Sequence, residues 1–151
     1  MNIFFDDNGE RYIKNFVSLC QDFNVYDSCD NESVDVLVLD GTSILDKYRN
    51  RKVNTCFCPS SRYFDVINSM RVQSAVSCGM RERDSITFSS IGENDAMVCL
   101  KRNILFVDSV YEPCEFRVEF DRRKGLYANL VLGTLEYFVK NGGVKNVFKA
   151  Y

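Results

Sequence analysis

Apolar residues recur along this chain in two rhythms: short β-branched or aromatic runs, and longer stretches at helical spacing. Asn2-Ile3-Phe4-Phe5 opens the sequence as a compact apolar run, the form of a buried strand. Asp7-Asn8-Gly9-Glu10 follows, with an Asx residue three positions before a glutamate, the pattern of a helix capping box. Ile13, Phe16, Val17 and Cys20 then sit at helical spacing, which predicts an amphipathic helix over residues 9–22. Residues 34–39 form a β-branched run closed by the turn signal Asp40-Gly41-Thr42. A short helix is expected over 43–49 and a strand over 53–58. Pro59-Ser60-Ser61 then starts a helix whose apolar positions are Phe64, Ile67 and Met70. Residues 74–78 give a further strand, ended by Gly79. Strand and helix alternating at these lengths predict crossover connections and a largely parallel sheet.

The rhythm changes after residue 84. Residues 85–90, 96–100, 104–107 and 115–120 read as short strands joined by tight polar turns, Gly92-Glu93-Asn94-Asp95 being the clearest. A helix is expected over 124–140, with Leu126, Leu130, Val131, Leu135, Phe138 and Val139 on its buried face, ended by Asn141-Gly142-Gly143. Gly133 lies inside it at a propensity cost of about 1 kcal/mol against alanine, which a close approach to another backbone would explain. The tail 144–151 is apolar enough for a last strand or a self-association contact. The whole predicts a single α/β domain over residues 1–151. Its architecture is a Rossmann-like three-layer domain, with a parallel first half, an antiparallel hairpin extension and a C-terminal helix.

Composition narrows the chemistry. The chain has no histidine, which removes Ser-His-Asp and Cys-His catalysis, His-ligated metals and the usual near-neutral proton shuttle. A formal net charge of -2 gives no overall drive toward nucleic acid or an anionic membrane. The opening residues lack the basic flank and long apolar run of a signal peptide, and no apolar stretch nears the roughly 20 residues that span a bilayer. Seven cysteines are an odd number, and Cys56, Cys78 and Cys99 fall within apolar strand-like runs. Free buried thiols in a reducing cytoplasm are therefore expected, not a disulfide framework.

Three constellations are candidates for chemistry. Asp6, Asp7 and Asp40 sit at the C-terminal ends of predicted parallel strands, where open α/β sheets bind ligands. Their carboxylates are the hard oxygen ligands that Mg²⁺ takes, a pattern similar to the acidic pocket of response-regulator receiver domains. The competing reading makes Asp7 a helix cap and Asp40 the start of a turn. Arg122, Arg123 and Lys124 open the last helix, where positive side chains oppose the macrodipole unless an anion such as phosphate binds between them. The competing reading has them solvated, with Asp121 as the cap. Cys56 and Cys58 share one face of a strand, and with no Cys-x-x-Cys in the chain they are expected to be small core hydrophobes. Arg81-Glu82-Arg83-Asp84 alternates in sign and is expected to be an exposed loop. No Gly-x-x-x-x-Gly-Lys-Ser/Thr phosphate loop or Gly-x-Gly-x-x-Gly fingerprint occurs.

Ala75-Val76-Ser77-Cys78-Gly79, Glu115-Phe116-Arg117-Val118 and Asn129-Leu130-Val131-Leu132-Gly133-Thr134-Leu135 together resemble segments of one known family. Residues 72–143 look like the closing part of the central domain of Mur ligases, which add amino acids to peptidoglycan precursors using ATP. There a strand ending in Tyr/Phe-Gly leads through antiparallel strands to a Gly-Arg-His-Asn-x-x-Asn motif and an Ala/Leu-rich helix. With Asn129 matched to the last Asn, it joins the anion-binding candidates, while Gly125 and Leu126 stand where His and Asn contact nucleotide. The resemblance thus implies the scaffold and not the reaction.

The expected function is a non-catalytic Rossmann-like module that binds a small ligand or a protein partner. The alternatives are a Mg²⁺-dependent phosphoryl enzyme or receiver-like switch using Asp6, Asp7 and Asp40, and a structural assembly protein forming homo-oligomers through residues 144–151.

Overall fold

A computed structural model describes residues 2–6, 24–26 and 33–141 of the protein. The main sheet is built from β1 (Asn2–Asp6), β2 (Asn24–Tyr26), β3 (Ser33–Leu39), β4 (Lys52–Pro59) and β5 (Arg71–Cys78). It continues through β6 (Ile86–Ile91), β7 (Asp95–Leu100) and β10 (Cys114–Glu119), in the order β10-β7-β6-β5-β4-β3-β1-β2. Pairing is parallel from β2 through β6 and antiparallel for β6 with β7 and β7 with β10, so β7 alone opposes the rest. That reversal is forced by the tight turn between β6 and β7, closed by Gly92 N–H donating to the Asp95 carbonyl at 2.8 Å.

Consecutive strand residues face opposite sides, and both sides are covered, which is why the parallel strands read as unbroken apolar runs. One side packs Ile3, Phe5, Val36, Val38, Phe57 and Val76 under the C-terminal helix α2 (Leu126–Lys140). The other packs Phe4, Leu37, Leu39, Cys56 and Cys58 under the short helix α1 (Tyr63–Ser69) and a 3-10 turn at Leu45–Tyr48. Cys56 and Cys58 are accordingly buried, free and on one face, as the i, i+2 spacing requires. Among the described residues, no helix is long and apolar enough to cross a membrane.

Several expectations change. Residues 43–49 hold only the four-residue 3-10 turn, because Asp40, Thr42 and Ser43 spend their polar groups on a local network before it. The helix after Pro59 begins as a 3-10 turn, Ser60–Arg62, and α1 turns Val66 and Met70 inward. Phe64 and Ile67, at apolar spacing in the sequence, face solvent instead. Leu126 is likewise exposed, while Leu130, Val131, Leu135 and Phe138 fill the core as expected. Strand β8 (Ile104–Phe106) leaves the main sheet and pairs with β9 (Ser109–Tyr111) in a separate ribbon. The ribbon's turn places Val107 at φ 56, an unusual value for a β-branched residue. Thr55 on β4 holds it there, accepting the Val107 N–H at 2.9 Å and donating to the Leu105 carbonyl at 3.2 Å.

Helix α2 docks on β10 through Phe116 and Tyr137, whose rings stack 3.9 Å apart. Gly133 lies over Val118, and a Cβ there would stand 2.7 Å from its Cγ1. The glycine therefore serves a close approach, but to a side chain and not to a backbone. The helix expected over 9–22, Asp7 and the tail 144–151 lie outside the described residues.

Candidate functional site

Because β1, β3, β4 and β5 are parallel, their C-terminal ends share one edge of the sheet. Asp6 ends β1 opposite Leu39, and Asp40 follows directly. The fold thus brings Asp6 and Asp40 to neighbouring strand ends. Ser43 joins them: its hydroxyl accepts the Asp40 N–H at 3.0 Å and lies 2.9 Å from the Asp6 carbonyl oxygen, to which it can donate. The Asp40 carboxylate accepts the Thr42 N–H at 2.7 Å and the Thr42 hydroxyl at 2.9 Å, the geometry of an Asx turn. Asp6 receives the Tyr48 hydroxyl and pairs with Lys47 at 2.8 Å. Both carboxylates are thus engaged in tying loops together. Among the described residues, no group of three or more His, Cys, Asp or Glu side chains could hold a metal ion.

At the start of α2, Arg123 is paired with Asp121 through Nη2 at 3.0 Å, with a second contact from Nε at 3.0 Å. Those bonds, with the Arg123 N–H, hold the Asp121 carboxyl below its ordinary range. Asn129 spends its whole amide on the same loop. Its Oδ1 accepts the Asp121 N–H at 2.9 Å, and its Nδ2 donates to the carbonyls of Asp121 at 2.8 Å and Gly125 at 2.7 Å. Arg122 and Lys124 sit at the surface and half-buried, respectively. Tyr127, the second residue of the helix, donates its hydroxyl to the Leu39 carbonyl, so this end of α2 meets the end of β3.

A different constellation occupies the ends of β4 and β5. A pocket of about 300 Å³ opens there, lined by Arg81, Arg83 and Arg102, with Tyr63 and Phe64 at its wall. The charges of the loop 81–84 are not paired with one another. Asp84 is only 2% exposed, and its carboxylate accepts the Ser60 hydroxyl at 2.6 Å and the Arg81 N–H at 2.8 Å. The guanidinium groups of Arg81 and Arg83 form no ion pair among the described residues. Arg102 donates to the Arg83 carbonyl at 3.0 Å, which fixes the loop against the end of the β6–β7 hairpin.

Gly79 makes this arrangement possible. A Cβ on it would meet the Ser60 hydroxyl at 2.2 Å and the Asp84 carboxylate at 2.6 Å, so a side chain would break the bond between them. Ser85, 7% exposed, also lines the pocket, and its N–H donates to the Ser77 hydroxyl at 3.2 Å. Arg62 couples this region to the acidic edge, donating to the carbonyls of Gly41 at 3.1 Å and Ser43 at 2.9 Å.

The thiol of Cys58 nearby is not a ready nucleophile. Burial above all, then the charge of Asp84, pushes the Cys58 thiol up to about 12, with Arg62 acting in the opposite sense. What the pocket offers is convergent donors: guanidinium forks and hydroxyls, suited to an anion.

Sequence reasoning missed this site because it summed the charges of residues 81–84 as though all four faced water. The one local signal was Asp84-Ser85, a polar pair directly before an apolar strand. No family model, curated protein or solved structure matches the chain.

Proposed function

We propose that the protein is a non-catalytic Rossmann-like three-layer module that binds a small anionic ligand in the pocket at the ends of β4 and β5. The observation that carries this reading is the set of arginines, Arg81, Arg83 and Arg102, around a pocket whose one acid among the described lining residues, Asp84, is buried. The position agrees with the general habit of open α/β sheets, which bind ligands beyond the carboxyl ends of their strands. On this reading Asp6 and Asp40 are structural, since their carboxylates already engage Lys47, Tyr48, Thr42 and Ser43. The resemblance of residues 72–143 to Mur ligases belongs to the same proposal, as a shared scaffold without the reaction.

The test is a thermal melt of the full chain with inorganic pyrophosphate, beside the triple variant Arg81→Gln, Arg83→Gln, Arg102→Gln. At a hundredfold excess over Kd, one site stabilises by about 2.7 kcal/mol, or roughly 5–10 °C in Tm. Wild type should show that shift and the triple variant should lose it. Equal shifts in both proteins, or sustained ATP hydrolysis by the purified chain, would remove the reading.

A further inference from the structure

We infer that the ligand of this pocket is a phosphate monoester carried on a single flat aromatic ring. The inference rests on the anion-binding reading above and specifies its chemistry.

The phosphate follows from the number and kind of donors. Arg81, Arg83 and Arg102 line a space of about 300 Å³, and against the single charge of Asp84, whose carboxylate is held by Ser60 and the Arg81 N–H, they leave an excess of two positive charges. A carboxylate presents one charge and two oxygens, too few acceptors for three forks. A phosphate monoester carries nearly two charges at neutral pH and three free oxygens, each able to accept from a guanidinium or a hydroxyl. Ser85 also lines the pocket.

The ring follows from the wall. Phe64 lines the pocket and is 61% exposed, so its ring is open to a ligand there. The Tyr63 ring meets it edge-on, 5.7 Å between centroids, and so supports it at a fixed angle. A flat apolar group laid against Phe64 would remove that ring from water while the phosphate reaches the arginines. Aromatic pairs of this kind contribute beyond the area they bury. Size sets the upper bound: the volume lies at the low end of small-molecule pockets, room for one ring system with its phosphate and not for a dinucleotide.

The experiment is isothermal titration of the full chain with phenyl phosphate, cyclohexyl phosphate and inorganic phosphate, repeated with Phe64→Ala and with the arginine triple variant. Phe64 is exposed, so its truncation leaves the core intact. Wild type should bind phenyl phosphate at least tenfold more tightly than the other two. Phe64→Ala should bring phenyl phosphate down to the level of inorganic phosphate and leave inorganic phosphate unchanged. The triple variant should lose all three. If all three phosphates bind wild type equally, or Phe64→Ala binds phenyl phosphate as wild type does, the aromatic assignment is overturned and the anion-binding reading stands. If no phosphate binds wild type, both fall.

Discussion

Thr55 is fully buried and carries two backbone groups of a ribbon fifty residues further along the chain. Its replacement by valine keeps the shape and removes the hydroxyl, leaving the Val107 N–H and the Leu105 carbonyl without that partner. Such a loss costs about 1–3 kcal/mol, and for a chain of this size each kcal/mol lowers Tm by about 2–4 °C. Thr55→Val should therefore melt several degrees below wild type, and Thr55→Ser close to it. Equal melting of Thr55→Val and wild type would show that the hydroxyl does not hold the turn. In the sequence, Thr55 is one more β-branched residue in the apolar run 53–58, and nothing local marks its partner. The same holds for Arg81 and Arg83: their neighbour Asp84 cancels them on paper, and only its burial against Ser60 separates the charges. Asn129 was legible as important, but its role is spent within the loop 121–125.

Elements with a strong period were readable. The stretch 124–140 became α2, starting two residues later, and the apolar runs 34–39 and 53–58 became β3 and β4. Elements of three residues, β2 and β9, carry too few positions to show a period, and β8 joins β9 because of a turn at Val107 that no glycine announces. The contact of α2 with β10 depends on Gly133. Alanine there gains about 1 kcal/mol in helix propensity, but its Cβ would press 2.7 Å from Val118 Cγ1, and overpacking of this kind costs about 1–3 kcal/mol. Packing prevails, so Gly133→Ala should lower the urea midpoint. Val118→Ala should also lower it, by cavity formation. The double variant should be more stable than the two losses summed, since the smaller side chain gives the new methyl room. Strict additivity would show that helix and strand part without contact at that point.

At the scale of the whole molecule, the centre of the sheet holds thiols whose ionisation is opposed by burial while it is folded. Cys58 is pushed up to about 12, and burial raises Cys56 and Cys78 as well, against an ordinary value of 9.0. Between about pH 9 and 12 the unfolded chain gives up these protons and the folded chain keeps them. The folded state then binds more protons, so stability is fully present below pH 9 and falls as pH rises above it. Urea midpoints at pH 8, 9, 10 and 11 should decline, and Cys58→Ala should decline less steeply. Parallel declines in the two proteins would show that Cys58 contributes nothing to the slope. The strand order carries a further consequence, for synthesis. Strands β3, β4 and β5 lie side by side in the order in which they leave the ribosome, so each finds a waiting partner. β1 does not: it lies between β2 and β3, both of which follow it in the chain. Ile3, Phe4 and Phe5 therefore wait unpaired during elongation, the interval in which a nascent chain is most open to chaperone capture or aggregation.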